Sequence, residues 1–288
     1  MITKTRPRKH KTLNKKDRFT EGVKLWTGYY RRNIHRFALD YLGINLFPFQ
    51  MMLLYMMQVN AYFNFIASRG IGKSYLVAVF IVCKDILYPG IKILVSCETK
   101  SQSRALVKEK IEKELMRNSP NLVKEIKEIK TGVNETAVIF KNGSTIEAIN
   151  ASENTRGYRC QVLVIDEYRM IKGGFQTLNQ VLKPFLNVRR ICKFHSKPEY
   201  ENYPKEEPQE IYMSSAWYAD HWAYDHFISY VDKMLTKIDY FTCVLPYTLS
   251  LHHGLLSQKR VDAMMEDENL SEVDFKMEFE VTTYFLYS

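Results

Sequence analysis

No run of 18 or more apolar residues occurs in this chain, which argues against a membrane-crossing helix. The most apolar stretch, FPFQMMLLYMMQVNAYFNFIAS (47–68), is broken by Gln50, Gln58 and Asn60. The N-terminal MITKTRPRKHKTLNKK has no apolar core, so it does not read as a secretory signal. Cysteine is scarce and unpatterned: Cys83, Cys97, Cys160, Cys192 and Cys243 contain no C-x-x-C pair and leave an odd number. That excludes a disulfide framework and points to a reducing, cytoplasmic compartment. His195, His221, His226, His252 and His253 follow no zinc-ligand spacing, even with Cys192 added, so no structural zinc is expected. No internal repeat or low-complexity segment is present.

Charge is unevenly placed. The net charge is +9, but residues 1–36 alone carry 12 Lys/Arg against Asp17 and Glu21. Residues 1–36 therefore form a basic arm, suited either to a phosphate backbone or to plain solvation, while the body is close to neutral. The body, residues 37–285, is large enough for one α/β domain.

Within it, residues 21–58 read as mostly helical, with a break near Leu46-Phe47-Pro48. YFNFIAS (62–68) and IKILVSC (91–97) read as buried strands around an all-apolar helix, KSYLVAVFIVCKDIL (73–87). This is the pattern of a right-handed βαβ unit in a parallel sheet. Residues 101–118 read as an amphipathic helix with Ser101 as N-cap. TAVIFKNGSTIEAIN (136–150) reads as a hairpin about Asn142-Gly143. QVLVIDEY (161–168), EIYMSSA (210–216) and YFTCVLPY (240–247) complete the expected strands, and 193–209 reads as an exposed loop. WYADHWAYDHFISY (217–230) reads as an amphipathic helix on the sheet or against a neighbouring subunit.

Two stretches carry chemistry. ASRGIGKS (67–74) joins a strand to a helix and has the shape of a phosphate-binding loop, G-x-x-x-x-G-K-[S/T], with Ala67 in the first glycine's position and Arg69 inside it. Such a loop aims backbone N–H groups at an anion, with a lysine for the β/γ-phosphates and a hydroxyl for Mg²⁺. Gly70, Ile71 and Gly72 would supply the cradle, and Lys73 and Ser74 the lysine and the hydroxyl. VLVIDEY (162–168) ends a buried strand in two acids, where ligands of open parallel sheets sit. Asp166 would then hold Mg²⁺, and Glu167 would act as general base on the attacking water.

With these in hand, residues 40–285 resemble the N-terminal ATPase domain of the large terminase subunit of tailed bacteriophages, the motor that packages double-stranded DNA. That family often writes an arginine inside its phosphate loop, as in A-S-R-G-I-G-K-S here. LFPFQ (46–50) resembles its adenine-recognition element, which would give Gln50 the adenine edge and Phe49 or Pro48 the ring. NTRGYRC before the acidic strand, and SCETKSQSRALV after the second strand, also match. MSSA (213–216) resembles the coupling motif, with Ser214, Ser215 and Ala216 sensing loss of the γ-phosphate.

The resemblance implies an α/β P-loop NTPase of the ASCE/RecA-like kind, with a mainly parallel central sheet, helices on both faces and an N-terminal helical, basic extension. It implies ATP and Mg²⁺, with nucleotide contacts spread over Phe49, Gln50, Ser68, Arg69, Gly70, Ile71, Gly72, Lys73, Ser74 and Tyr75. It also implies work in the host cytoplasm as a homo-oligomeric, pentameric ring on a capsid. Double-stranded DNA, a portal protein and a small terminase subunit would be the partners. Catalysis would involve Glu167, Lys73 and an arginine on the transferring phosphoryl group. Arg69 in cis and Arg156 in trans, beside Gly157, are both candidates. The family's second domain, an acidic two-metal nuclease, is not expected in this chain, so ATP hydrolysis without DNA cleavage is expected. Two other classes stay open: a superfamily 2 helicase-like ATPase, and a nucleotide-dependent DNA-binding or assembly protein that does not turn over.

Overall fold

The computed structural model describes residues 14–132, 135–152, 155–191, 206–267 and 270–282, with 198 and 201. Eight strands form one sheet: β1 (Tyr62–Ala67), β2 (Lys92–Cys97), β3 (Ile126–Thr131), β4 (Thr136–Phe140), β5 (Thr145–Asn150), β6 (Val162–Asp166), β7 (Gln209–Ser214) and β8 (Tyr240–Leu245). Their spatial order is β3-β4-β5-β2-β6-β7-β1-β8. From β5 to β8 every pairing is parallel, while β3 and β4 add antiparallel pairings at one edge. The fold is that of a P-loop NTPase.

Alternation along the parallel strands sends side chains into two cores. Phe63, Phe65, Ile93, Val95, Val162, Val164, Ile211 and Met213 pack on one face, and Ile66, Leu94, Leu163, Ile165 and Tyr212 on the other. The first face is covered by helix α4 (Lys73–Leu87), in which every residue from Leu76 to Cys83 is buried. That is why α4 is apolar all round: it lies between the sheet and a further helical layer. Truncating Phe80, fully buried there, would cost about 3–5 kcal/mol. The outer layer includes α2 (Ile34–Asp40) and α3 (Pro48–Val59). The opposite face is covered by the helix Trp222–Thr236 and the segment Leu178–Leu186.

Several expectations are sharpened or corrected. The strands β1 and β2 do share a parallel sheet, but β7 and β6 lie between them, so α4 crosses over two strands. The helix expected at 101–118 begins at Lys100, and its N-cap is Thr99 rather than Ser101. Thr99 has extended backbone and exchanges side-chain bonds with Gln102, a reciprocal cap that Ser101, one residue inside the first turn, cannot make. From Leu106 to Leu115 that helix widens into π geometry. The sequence reading assigns no element to Ile126–Thr131, which forms the charged edge strand β3.

The first 13 residues of the basic arm lie outside the described residues. The rest of the arm forms α1 (Lys15–Arg32) and the start of α2. Its C-terminal part belongs to the body: Trp26 packs edge-on against Phe37 and Tyr41, and Arg31 donates to the Leu87 carbonyl at 2.7 and 2.9 Å. Most of the loop expected at 193–209 also lies outside the described residues. Among the described residues, no helix is long and apolar enough to cross a membrane.

Candidate nucleotide site

Parallel register brings the chemistry together. Ile66 of β1 pairs with Ser214 of β7, and Asp166 of β6 pairs with Met213. The phosphate loop, the Ser-Ser pair and the two acids therefore leave the sheet at the same carboxyl edge, with β7 between the loop strand and the acidic strand. Open parallel sheets bind their ligands beyond this edge.

The loop itself turns on glycine. Gly70 (φ 82°) and Gly72 (φ 88°) take left-handed backbone that L side chains rarely adopt. Ser68 and Arg69 direct their N–H groups away, to the carbonyls of Leu245 and Glu278, both at 2.9 Å. An anion at the loop would thus be left to Gly70–Gly72 and the α4 N-terminus, with no N–H from Ser68 or Arg69. Ser68 is instead fully buried, and its hydroxyl has no partner among the described residues. Lys73 Nζ sits over the loop, donating to Ala67 O at 2.7 Å, Ser68 O at 3.3 Å and Ser215 Oγ at 3.4 Å. Burial pulls the Lys73 pKa down, against Glu167 and Asp166, which hold it up.

Opposite the loop stand the acids. Ser74 Oγ is 3.5 Å from Asp166 Oδ2, and Lys73 Nζ is 4.0 Å from Glu167 Oε1. Burial, followed by the neighbouring Glu167, pushes the Asp166 carboxyl up to about 7. A hydroxyl and a half-buried carboxyl facing each other are a hard-oxygen pair suited to Mg²⁺, and a cation there would favour the ionised form of Asp166. The residues present therefore fit a magnesium nucleotide.

Glu167 has φ 47°, a left-handed conformation unusual outside glycine. That turn aims its carboxylate back across β7: Ser214 Oγ donates to Oε2 at 3.3 Å and Ser215 N at 3.4 Å. So all three expected coupling residues are engaged, because Ala216 O accepts from Arg169 Nη1 at 2.7 Å. A cleft of about 240 Å³ opens beside the acids, between Ser74, Asp166, Glu167 and the flank of the 100–115 helix.

Gln50 lies next to the loop, and Phe49 precedes it on the same helix. The run Phe47-Pro48-Phe49-Gln50 begins α3, with proline at the first position and Gln50 capping Phe47 N at 3.0 Å. Gln50 Oε1 is thereby occupied, while a Cβ on Gly72 would come within 3.8 Å of its Nε2. Only the NH₂ end of this amide is turned to the loop. Phe49 and Phe47 are near-parallel, and each has its centroid 5.0 Å from the His253 ring. His253, remote in sequence, thus packs against the aromatic pair of the LFPFQ segment.

Arg69 does not point at the acids. Its Nε bonds Glu278 Oε2 at 2.8 Å and its Nη2 reaches Glu278 Oε1 at 3.3 Å. Arg156 is exposed on the turn after β5, beside Gly157 (φ 110°). Tyr75 is half-buried in the first turn of α4. Arg169, three residues past Asp166, is the buried cation of the site: its Nε lies 3.2 Å from Glu167 Oε2. The sequence offers one signal for it, an arginine inside an otherwise apolar YRMI, which by itself reads as a surface residue.

No family model and no curated protein matches this sequence. Solved structures do match in three dimensions. The ATPase domain of the Thermus phage P74-26 large terminase superposes with TM-score 0.60 at 14% identity, over 84% of this chain and 95% of that one. The HK97 bacteriophage large terminase matches with TM-score 0.58 at 14% identity, over 84% of this chain and 51% of that one. A large terminase of a thermophilic bacteriophage in complex with ADP matches with TM-score 0.56 at 12% identity, over 82% and 52%. At such identities the likeness is one of fold. The chain spans about half the length of the latter two proteins.

Proposed function

We propose that this chain is the ATPase motor domain of a phage-type large terminase, coupling Mg-ATP hydrolysis to translocation of double-stranded DNA into a capsid. The observation that carries the ATPase reading is the meeting of two distant sequence segments: Ser74 against Asp166 at 3.5 Å and Lys73 near Glu167 at 4.0 Å. The matched fold, found in a terminase structure that holds ADP, supports the packaging reading.

In this reading the N–H groups of Gly70–Gly72 and the Lys73 ammonium hold the phosphates. Ser74 and Asp166 hold Mg²⁺, which when bound neutralises charge on the phosphate oxygens. Gln50 Nε2 and the Phe49 ring take the adenine, with Ser68, Arg69 and Tyr75 flanking the nucleotide. Glu167 accepts a proton from the attacking water, and its hydrogen bonds to Ser214 and Ser215 link its position to β7. Loss of the γ-phosphate is then felt by a strand as well as by a side chain. Arg156 is the candidate for a cation supplied to a neighbouring subunit's site. The partners are double-stranded DNA, a portal protein and a small terminase subunit, with pentameric assembly on a capsid in the host cytoplasm.

Phosphate release from ATP, with Mg²⁺ and double-stranded DNA present, tests the chemistry. Glu167→Gln is expected to lower kcat about 10²- to 10⁴-fold while leaving ADP binding intact. Unchanged turnover in that variant would remove Glu167 as the base.

A further inference from the structure

Arg169 is almost fully buried, and its guanidinium stacks on Trp217 with the central carbon 4.4 Å from the ring centroid. Its three nitrogens have three different partners. Nη1 donates to Ala216 O at 2.7 Å, Nη2 donates to Glu278 Oε1 at 2.8 Å, and Nε lies 3.2 Å from Glu167 Oε2. The last contact is charge-to-charge only, since Nε makes no hydrogen bond of acceptable geometry.

A guanidinium beside a carboxylate ordinarily takes it with two parallel N–H bonds. Such a clamp on Glu167 would occupy the oxygens that must face water. Here both Nη atoms are committed elsewhere, and the carboxylate meets only Nε. Its other neighbours are weak or long: Ser214 Oγ at 3.3 Å, Ser215 N at 3.4 Å and Lys73 Nζ at 4.0 Å.

We propose that Arg169 is a positioning residue for Glu167, and that Glu278 and the Ala216 carbonyl hold its fork so that it steers the carboxylate without clamping it. This rests on the reading of Glu167 as the base. Glu278 comes from the C-terminal segment Lys276–Glu280 and also binds the Arg69 side chain, while its carbonyl accepts from Arg69 N. One carboxylate therefore joins the phosphate loop to the residue that aims the base. Burial pushes the Glu278 carboxyl up, but Arg69 and Arg169 outweigh it and hold it at about 2, so the link is ionic at any working pH.

The experiment compares Arg169→Ala, Arg169→Lys, Glu278→Gln and the double variant Glu278→Gln/Arg169→Lys, with Arg69→Ala as control for the other arm of Glu278. Turnover is measured with double-stranded DNA, and ADP affinity by equilibrium titration. Arg169→Ala should lower kcat on the order of 10- to 100-fold, the scale of a misplaced catalytic group, with KM for ATP and ADP affinity within about twofold. Arg169→Lys, which keeps the charge, should restore most of kcat. Glu278→Gln should lower kcat by freeing the fork to clamp Glu167. The double variant should be faster than Glu278→Gln alone, because lysine cannot clamp bidentately. Multiplying losses in the double variant, ADP affinity falling in step with kcat, or lysine no better than alanine would each overturn the proposal. Turnover that needs Glu167 but is indifferent to Arg169 would overturn it alone. Turnover indifferent to Glu167 would overturn the base reading and this proposal together.

Discussion

The two ends of the central sheet both gather buried charge, and they hold it differently. At the amino end a cavity of about 270 Å³ is bordered by Lys84, Tyr88, Arg190 and Glu206. There Arg190 donates to Glu206 at 2.5 and 2.7 Å and to Pro89 O at 2.9 Å. Arg31, Lys84 and Arg190 all lie over the Tyr88 ring, at 4.3, 4.6 and 5.5 Å. At the carboxyl end the contacts among Lys73, Ser74, Asp166, Glu167, Ser214 and Ser215 run from 3.3 to 4.0 Å. Short, saturated contacts describe a clasp, tying α1 and α4 to the segment before β7. Long, poorly aligned contacts describe groups that tighten only when a ligand arrives. The cavity at the clasp and the cleft beside the acids are similar in volume, about 270 and 240 Å³. A phosphate loop binds with backbone N–H groups on an open edge and needs no deep pocket.

The largest effect expected from this contrast belongs to the carboxyl end and is kinetic. Lys73→Ala should lower kcat/KM for ATP by about 10³-fold or more, the loss of a cation aimed at transferring phosphates. Its melting temperature should fall only modestly: the two carbonyls and the hydroxyl it leaves unpaired are buried, but the desolvation cost of the ammonium goes with it. Unfolding of this variant at ordinary temperature would mean that the carboxyl end is also a clasp.

Much of this end was legible in the sequence. G-I-G-K-S between a strand and an apolar helix, and V-L-V-I-D-E at a strand end, each carry their own geometry, whereas the place of β7 between them comes only from the sheet order. Arg169 and Glu278 were not legible. They stand 109 positions apart, and nothing in Y-R-M or M-E-F tells a buried ionic link from two surface charges. The N–H groups of Ser68 and Arg69 escaped for a similar reason: their partners, Leu245 and Glu278, come from remote segments. The clasp was wholly hidden, because Arg31, Lys84, Arg190 and Glu206 meet only through the order of the sheet. Edge strand β3 was missed because K-E-I-K carries charge rather than the apolar signature of a strand.

The next effect belongs to the amino end and is one of stability. Arg190→Met should destabilise the fold by about 3 kcal/mol, because it strips Glu206 of its bidentate partner and leaves Pro89 O unpaired. Burial pushes the Glu206 carboxyl up, but Arg190, Arg31 and Lys84 more than compensate and hold it below its ordinary range. Urea denaturation measures the loss. Turnover at saturating ATP should stay within twofold, and a larger fall would show that the two ends communicate.

Asp85 supplies the third case, a buried titratable group with no clasp and no ligand, and the smallest effect. It lies on α4 directly after Lys84, fully buried, and neither carboxyl oxygen has a partner among the described residues. Burial alone holds its carboxyl well above the ordinary range, so the folded chain keeps it protonated where the unfolded chain ionises it. The folded state then binds the extra proton, and stability falls as pH rises above about 4, until the folded carboxyl itself ionises. The slope from this one group is at most about 1.4 kcal/mol per pH unit. Asp85→Asn removes the titration and keeps the shape. Denaturation of both proteins at a series of pH values above 4 should show the parent losing stability relative to the variant as pH rises. Equal losses would mean that the Asp85 carboxylate has found a cation in the folded chain, and with it a clasp of its own.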